Sequence, residues 1–468
     1  MVLNIDDMAA FCKKKGLIYP SGEIYGGLAG FFDYGPYGSE MKLNIKNSWW
    51  KYHVRDRSDI VGIDGSIITN PSVWKASGHV DKFVDYGVVN KKTKEKFKVD
   101  AHELKNYENN SDYAIKGKIN PMFVTNVGPM VDDSVEVFLR PETAQLIFTN
   151  FKLTTENARL KLPFGIAQMG RAFRNEISPR NFIFRCREFE QLEIEYFVHP
   201  VDKNCPFFKD FKDFKFNVCS ISHQKKDVDL ELMTASQAVE KGLMQEWHAY
   251  WLAFELNWFK SLGCSMDNFR VRQHAKDELA HYSSDCWDLE YNFPFGWKEL
   301  EGIADRGDYD LSRHIEFSKT DLSLFDEEQK KKIIPHVVAE PSLGVDRAFL
   351  VFLYEAYNDD KKRGNVVLKL HPKIAPIQVA VMPLVKNKEL VRNKAAEVFN
   401  QVKENFNAFY DESGSIGRRY ARMDEIGTPY CVTIDFDTLE DGCVTVRNRD
   451  NTEQKRVKIV DLNKELFF

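Results

Sequence analysis

The stretch from Gly170 to Phe197 constrains the fold of this chain more than any other, because it places five arginines and five glutamates among apolar residues. This pattern fits neither an amphipathic helix nor a solvated run of charge. From Phe164 to Glu176 the residue types alternate with a period of two, which predicts a β-strand. Residues 177–184 contain a proline and an asparagine, which predicts the turn of an antiparallel hairpin.

Each strand of the predicted hairpin presents one row of side chains to the same side. Arginine binds phosphate with two parallel hydrogen bonds, phenylalanine stacks on a planar base, and glutamate pairs with an ammonium group. The rows favour a ligand with phosphates, a ring and an amine, although an exposed ribbon of cross-strand ion pairs explains the charges almost as well. The rows are Ile166, Gln168, Gly170, Ala172, Arg174 and Glu176, and then Arg185, Arg187, Phe189, Gln191, Glu193 and Glu195.

Length and composition indicate a globular enzyme with more than one domain. At 468 residues the chain exceeds the size at which a single core stops growing, and none of its apolar runs is long enough to span a membrane. A net charge of -5 argues against nonspecific coating of nucleic acid. The eight cysteines show no C-x-x-C or local Cys/His pattern, so we expect reduced thiols, a cytoplasmic location and no zinc.

The order of predicted elements divides the chain in two. A helix is predicted over 38–54, strand-like alternation over 59–74 and one long helix over 236–262, whose tryptophans we expect in the core. A charge cluster with two prolines at 358–376 marks the main boundary. Beyond it, alternating strand and helix patterns that end in a hairpin over 442–459 predict a compact α/β unit. Glycine-rich nucleotide loops are absent from the sequence, so any ATP must be held by side chains.

Three segments resemble the motifs of class II aminoacyl-tRNA synthetases. The helix and strand that end at Pro71 resemble motif 1, "FRNE" with "RCREF" resembles motif 2, and "EPSLGVDRAFLVFLYEAY" resembles motif 3. Further segments narrow the resemblance to the homodimeric glycyl-tRNA synthetases, and together they extend it over nearly the whole chain. They are "GFFDYGPYGSEMK", "WKASGH", "RPETAQ", "EYNFPFGWKELEGIADRGDYDL" and "EPS".

The resemblance implies an α+β fold of two domains. Residues 1–365 would form an antiparallel-sheet catalytic core with helices, carrying insertions at about 91–118 and 200–285. Residues 366–468 would form an α/β anticodon-binding domain, whose most recognisable stretch is "GRRYARMDEIGTPY".

The same resemblance implies the reaction and its partners. Glycine would be activated with ATP and Mg²⁺ to glycyl-adenylate, releasing pyrophosphate, and then transferred to the 3′ end of tRNA-Gly. Two alternatives stay open: a catalytically inactive RNA-binding accessory protein, and a class II synthetase for threonine, serine or proline. A homodimer is implied through motif 1, where the apolar face formed by Leu43, Ile45 and Trp49 could instead be internal core.

Position by position, the resemblance also implies which residues hold ATP. Arg174 would bind the α-phosphate, and Arg185 and Arg347 would bind the γ-phosphate end. Arg347 and Phe189 would cover the two faces of adenine, and Glu299 would lie beside Mg²⁺. The implied set is Arg174, Asn175, Glu176, Phe184, Arg185, Phe189, Glu299, Leu300 and Arg347, with Arg174 and Arg347 as the catalytic residues.

A second implied set binds glycine. Carboxylates would surround its ammonium group, because glycine has no side chain by which it could be selected. At Lys98, in "FKVDAHEL", the sequence departs from the pattern of many relatives, so no substrate contact is assigned there. The implied glycine set is Glu142, Glu193 and Glu340 for the ammonium group, Ser342 beside them, and Arg306 for the carboxylate.

The remaining polar residues are less constrained by the sequence. His79, Arg187 and Glu195 receive no functional role. For tRNA, basic side chains on the last hairpin are candidates, although a solvated hairpin explains them almost as well. These candidates are Arg447, Arg449, Lys455 and Arg456.

Overall fold

The computed structural model describes residues 3–466 except 84, 100–103, 109, 129, 131–133 and 227–229. Its helices are α1 (Ile5–Lys14), α2 (Pro36–Trp50), α3 (Pro71–Ala76), α4 (His79–Lys82), α5 (Lys105–Glu108), α6 (Ala144–Ala158), α7 (Ile221–Lys226), α8 (Ala235–Glu240), α9 (Glu246–Ser261), α10 (Tyr309–Ser318), α11 (Val345–Ala356), α12 (Glu389–Val402), α13 (Ile416–Ile426), α14 (Thr438–Asp441) and α15 (Leu462–Glu465).

Its strands are β1 (Ile18–Pro20), β2 (Phe32–Tyr34), β3 (Ile60–Ile63), β4 (Asp85–Asn90), β5 (Lys96–Val99), β6 (Tyr113–Ile119), β7 (Val124–Val127), β8 (Val135–Phe138), β9 (Phe164–Phe173), β10 (Glu188–Val198), β11 (Lys215–Cys219), β12 (Glu231–Thr234), β13 (Phe269–Gln273), β14 (Asp285–Phe293), β15 (Gly296–Asp305), β16 (Leu324–Asp326), β17 (Lys331–Ile333), β18 (His336–Gly344), β19 (Tyr357–Asp360), β20 (Asn365–Leu368), β21 (Val379–Pro383), β22 (Ala408–Tyr410), β23 (Tyr430–Ile434), β24 (Cys443–Asn448) and β25 (Gln454–Lys458).

A large, mostly antiparallel sheet forms the centre of the first unit. Within the described residues it has nine strands, in the order β12-β11-β13-β14-β15-β18-β10-β9-β3. Its neighbouring strands are antiparallel, apart from the parallel pairs of β11 with β13 and of β3 with β9. This sheet and its helices confirm the α+β core that the sequence predicted.

Alternation along the strands gives this sheet two different faces. On β10, Leu192, Ile194 and Tyr196 are buried in the main apolar core, to which α2, α9 and α11 also contribute. Glu193 and Glu195 alternate with them and therefore point to the opposite face. One face thus packs against the main core, and the other carries the polar residues together with a smaller apolar cluster that includes Phe164 and Ile166.

The charged hairpin has the strands that the sequence predicted. β9 and β10 pair continuously from Phe164 opposite Phe197 to Phe173 opposite Glu188. One further hydrogen bond, from Arg174 N to Arg187 O at 2.9 Å, extends the pairing towards the turn.

The alternation predicted over 59–74 gives a strand only at β3, and α3 follows. Pro71 begins this helix, at a position where its missing N–H would have no helical partner. The Asn70 side chain caps the helix by accepting a hydrogen bond from Ser72 N at 2.9 Å. The predicted alternation therefore gives way to a helix that begins at Pro71 and is capped by Asn70.

The single helix predicted over 236–262 is two helices in the structure, α8 and α9. Gly242 lies between them with a φ of 67°, in the left-handed region that terminates helices. Trp247, Trp251 and Trp258 on α9 are buried in the core, as predicted. The segment expected as an insertion at 200–285 thus supplies core helices and three strands of the central sheet.

The C-terminal unit has its own sheet, with five strands among the described residues in the order β22-β21-β23-β24-β25. The first three strands run parallel and the last two are antiparallel. Val391 and Ala395 of α12 join the apolar cluster on one face, and Met423 and Ile426 of α13 join the cluster on the other. The sheet therefore lies between the two helices.

The predicted boundary at 365/366 falls at the start of β20, which pairs with β19 in a hairpin. Ile374 and Ala375 still belong to the main apolar core of the first unit, whereas Ile377 belongs to the apolar cluster of the C-terminal unit that includes Met423 and Ile426. The change from one core to the other therefore lies between Ala375 and Ile377. Among the described residues, none of the helices has both the length and the apolar character needed to cross a membrane.

We expect Gly38→Ala to destabilise the protein. Alanine normally favours a helix over glycine, but a Cβ at position 38 of α2 would lie 1.8 Å from the Leu17 carbonyl oxygen. The backbone shifts needed to remove this overlap should lower the free energy of unfolding by about 1–3 kcal/mol, which urea denaturation measures. The matched control is Gly417→Ala in α13, where a Cβ meets nothing within 4 Å. Equal stability of the two variants would contradict the packing described.

Candidate active site

A cleft of about 450 Å³ lies against the polar face of the central sheet. Its walls come from β10, β14, β15 and β18, together with the turn of the charged hairpin and the first turn of α11. It brings together most residues of the two sets implied by the sequence. These are Glu142, Arg174, Glu176, Phe184, Arg185, Phe189, Glu193, Glu299, Leu300, Glu340, Ser342 and Arg347.

Strand register places small residues opposite the larger polar and aromatic side chains of the neighbouring strands. Phe189 lies opposite Ala172, Gln191 opposite Gly170, and Gly302 of β15 opposite Ser342 of β18. Small residues therefore alternate with the ligand-type side chains across neighbouring strands. This leaves space above the sheet that larger residues would fill.

Gly170 also makes room for the buried guanidinium of Arg140. A Cβ on Gly170 would lie 2.0 Å from Arg140 Nη2. Arg140 donates to the carbonyl oxygens of Arg171 at 2.6 Å and Gly65 at 2.7 Å, which fixes the chain just before Glu142. The arginine of "RPETAQ" is thus an anchor for the glycine end of the cleft.

At the other end of the cleft, three arginines are held by oxygen atoms of the protein. Arg174 Nε donates to the Pro141 carbonyl oxygen at 3.0 Å, and Arg185 Nε lies 3.1 Å from a carboxylate oxygen of Glu176. Arg347 lies 4.6 Å from the ring centroid of Phe184. The arginines therefore keep a fixed spacing before any phosphate is present.

Arg347 also bridges to Glu299 at the mouth of the cleft. Its Nη1 donates to the Glu299 carbonyl oxygen at 2.8 Å and lies 3.2 Å from the carboxylate. Desolvation raises the pKa of Glu299, but the charges of Arg347, His274 and Arg174 outweigh it and lower that pKa overall. An ionised, half-exposed carboxylate at this position suits Mg²⁺, which prefers oxygen ligands and retains water.

Arg187, which the sequence left without a role, ties two loops together. Its Nε and Nη2 donate to the Glu176 carbonyl oxygen at 3.0 and 2.9 Å, and Nη1 donates to the Ala29 carbonyl oxygen at 3.0 Å. Its own N–H donates to Gly30 O at 2.8 Å. Arg187 thus holds the turn that carries Glu176, and no local sequence pattern predicts these backbone contacts.

The glycine end of the cleft is a cluster of buried acids. Glu193 accepts hydrogen bonds from the hydroxyls of Thr143 and, at 2.8 Å, Ser342. Glu142 accepts from Gln145 Nε2 at 3.1 Å. The cluster consists of Glu142, Glu193, Glu195, Glu340 and Asp310, and Arg306 lies among them.

Arg306 is already occupied by two of these acids. Its Nε and Nη2 donate to Asp310 at 2.7 and 2.9 Å, and its Nη1 donates to Glu340 at 2.6 Å. The side chain is only 1% exposed and does not line the cleft. Arg306 is therefore not brought to the cleft surface, where its implied contact with the glycine carboxylate would require it, and Asn175 does not line the cleft either.

His79 belongs to the site, although the sequence analysis gave it no role. Its Nε2 lies 3.2 Å from Glu142 Oε2, and its Nδ1 is hydrogen bonded to the Ser77 hydroxyl at 2.8 Å. Burial raises the pKa of Glu142, but the charges of His79 and Arg306 outweigh it and lower that pKa overall. Its position at the end of the motif "WKASGH" was the one sequence feature that could have indicated a role in the site.

The other glutamates hold their protons more tightly. Burial first, and then the neighbouring carboxylates, raise the pKa of Glu340 to about 8 despite Arg306. Burial and Glu142 likewise raise the pKa of Glu193. Glu195 is fully buried, neither of its carboxyl oxygens has a hydrogen-bond partner among the described residues, and burial with Glu340 raises its pKa well above the usual range. Burial thus favours the neutral form of these three carboxyl groups.

The basic residues expected to contact tRNA are engaged within the C-terminal unit. Arg447 pairs with Asp424 through two hydrogen bonds of 2.8 and 2.9 Å. Arg449 is buried and donates to the Gly427 carbonyl oxygen at 2.7 Å. On the same hairpin, Lys455 pairs with Glu465, and Arg456 pairs with Asp435 and Asp441. These contacts leave the two buried arginines inside the domain rather than on an RNA-binding surface.

The residues expected at a dimer interface divide into two kinds. Ile45 and Trp49 are buried in the main core of the single chain, so they are internal. Leu43 is 49% exposed. An exposed loop nearby in sequence adds Ile24, Tyr25 and Leu28 to the apolar surface.

Two family models match the chain. A model of the tRNA synthetase class II core domain (G, H, P, S and T) matches residues 130–357, and an anticodon binding domain model matches residues 378–466. The chain is 44% identical to a glycine–tRNA ligase of Thermobifida fusca, over 97% of this chain and 96% of that protein. It is also 44% identical to a glycine–tRNA ligase of Acetivibrio thermocellus, over 98% of this chain and 97% of that protein.

A solved structure shares the fold at lower identity. It is the prolyl-tRNA synthetase of Giardia lamblia in complex with prolyl-adenylate, with a TM-score of 0.61 and 16% identity. The match covers 99% of this chain and 77% of the other.

We expect the glutamates of the acidic cluster to respond differently to loss of charge. Glu340→Gln should raise the KM for glycine by about 10- to 100-fold, because an ammonium ion loses a charged hydrogen bond. Glu195→Gln should change it less than about threefold, because this buried carboxyl group does not line the cleft. Steady-state pyrophosphate exchange at varied glycine measures both. An equal loss in the two variants would contradict the assignment of Glu340, and not Glu195, to the ammonium group.

Proposed function

This chain belongs to the glycine–tRNA ligase family of class II aminoacyl-tRNA synthetases, and on that premise we propose how its residues divide the work. The enzyme activates glycine with ATP to glycyl-adenylate, releases pyrophosphate, and transfers glycine to the 3′ end of tRNA-Gly. The observation that carries the assignment of the site is the convergence of Arg174 and Arg347 with Glu193 and Glu340 in one cleft.

The first step needs electrostatic stabilisation rather than a base. The glycine carboxylate is ionised at neutral pH and attacks the α-phosphorus of ATP, so two anions must approach each other. We assign Arg174 to the α-phosphate, where it offsets charge as the pyrophosphate departs. We assign Arg185 and Arg347 to the outer phosphates. When ATP binds, phosphate oxygens would replace the carboxylates of Glu176 and Glu299 as the partners of these two arginines, so neither guanidinium is left unpaired.

Phe184, Phe189 and Arg347 form the nucleotide base site in this proposal. The Arg347 guanidinium lies 4.6 Å from the Phe184 centroid and that of Arg174 lies 5.4 Å from the Phe189 centroid, so aromatic and guanidinium groups are already close together where a base would bind. Mg²⁺, which neutralises phosphate charge when bound, would be held by Glu299. The ionised state of Glu299 supports this placement.

Glycine recognition rests on the acidic cluster. We assign Glu142, Glu193 and Glu340 to its ammonium group, with Ser342 fixing the orientation of Glu193. A cation that enters this cluster favours the ionised form of the buried acids, and the ion pairs that result are a source of affinity that needs no side chain on the ligand. Arg306 acts as a positioning residue that does not contact the ligand. It donates a hydrogen bond to Glu340 and is itself held by hydrogen bonds to Asp310.

Three further properties are proposals that rest on the family. A homodimer is supported by the exposed apolar side chains of Ile24, Tyr25, Leu28 and Leu43, which a partner copy would cover. Sedimentation velocity at micromolar concentration should give the dimer mass, and a monomer throughout would contradict it.

A cytoplasmic location is supported by cysteines that are free thiols throughout the described residues. tRNA binding by the C-terminal unit is supported by the family model over residues 378–466.

We expect glycine alone among the twenty amino acids to support exchange of pyrophosphate into ATP. Arg174→Ala should lower kcat by about 10²- to 10³-fold, because one preorganised charge is lost at the reacting phosphate. The matched control is Arg171→Ala, three residues away, whose exposed side chain pairs with Glu188. Exchange with threonine, serine or proline, or no exchange at all, would contradict the proposed function.

A further inference from the structure

Three side chains with different donor atoms meet on the β13–β14 side of the cleft. His274 N donates to Cys286 O at 3.0 Å, so His274 lies opposite Cys286 just past the end of β13. Asp288 is two residues further along β14 and therefore points to the same face. All three residues line the cleft, and Cys286 and Asp288 are buried.

The donor atoms are close enough to share one ion. The His274 ring nitrogen, Cys286 Sγ and an Asp288 carboxylate oxygen all lie within 4.8 Å of one another. His274 Nε2 already forms a 2.7 Å hydrogen bond with Asp288 Oδ2. An ion in the middle of this triangle would replace the shared proton as the bridge between the two side chains.

The type of donor selects the type of ion. A nitrogen, a sulfur and an oxygen ligand suit Zn²⁺, whereas Mg²⁺ takes oxygen ligands and retains its waters. Three protein ligands with one side open is also the pattern of zinc sites that bind an exchangeable fourth ligand. Here the open side is the cleft itself, since all three residues line it.

The surrounding charges permit a divalent cation. Glu290 and Glu299 lie near Asp288, and Glu340 lies near Cys286. The nearest opposing charge is Arg272, whose Nη1 is 4.0 Å from Asp288 Oδ2. Its Nη2 donates to Glu278 at 2.6 Å, so that guanidinium is partly balanced.

We propose that His274, Cys286 and Asp288 form a binding site for a zinc-class divalent ion, whose fourth ligand comes from the cleft. On binding, the Cys286 thiol releases its proton to solvent and the thiolate coordinates the ion. The site differs from the proposed Mg²⁺ position at Glu299 in its donor atoms. His274 lies twelve positions before Cys286 and fourteen before Asp288, so the three residues form no short sequence motif.

Cobalt(II) serves as the probe, added to the full chain without ATP or glycine. The expected result is one equivalent bound, with thiolate-to-metal charge-transfer absorption in the near ultraviolet that zinc displaces. Cys286→Ser should abolish this band, and His274→Gln and Asp288→Asn should each weaken binding at least about tenfold. The matched control is Cys443→Ser, which removes a thiol of the C-terminal unit and should leave the band unchanged.

Absence of the band in the unmodified chain, or its persistence in Cys286→Ser, would overturn the proposal. If Cys286→Ser does not fold, X-ray absorption of the zinc-loaded unmodified chain decides the question. One sulfur among nitrogen and oxygen neighbours supports the site, and a shell without sulfur overturns it. Glycine-dependent exchange by the metal-free enzyme tests the proposed function separately, so the two failures are distinguishable.

Discussion

The site depends on burying Glu193, Glu195 and Glu340 around a single guanidinium. Each buried acid would ionise readily in water, but here desolvation and mutual repulsion favour the neutral form. Arg306 cannot balance them all, because Asp310 takes two of its hydrogen bonds. The free site is therefore short of positive charge, and the ammonium group of a small amino acid supplies it.

The fold makes this arrangement possible by separating packing from chemistry. One face of the central sheet packs against α2, α9 and α11, which supplies the stability that a polar face lacks. On the other face, antiparallel register aligns acids and arginines in rows, Gly302 lines the cleft without a side chain, and Gly170 leaves room for the buried guanidinium of Arg140. Arginines such as the buried Arg140 and the partly exposed Arg187 then hold the loops, because each donates to more than one backbone carbonyl group.

The sequence was most informative where pattern and chemistry coincide. Alternation predicted the β9–β10 hairpin, and most residues that the motif resemblance implied for the site do line the cleft. It was least informative about partners distant in the chain. Nothing local reveals that Asp310 clamps Arg306, that Asp424 holds Arg447, or that His274 lies beside Cys286. Such pairs are set by strand order and tertiary packing, and so the same arginine can be a ligand or a structural anchor.

We propose that glycine binding replaces protons in the acidic cluster. Burial and the neighbouring carboxylates raise the pKa of Glu340 to about 8 and so favour its protonated form, whereas a bound ammonium ion favours its ionised form. Isothermal titration of glycine at pH 7, in buffers of different ionisation enthalpy, counts the protons exchanged. We predict net proton release that shrinks as the pH rises through this pKa. An enthalpy independent of the buffer, or net proton uptake, would contradict it.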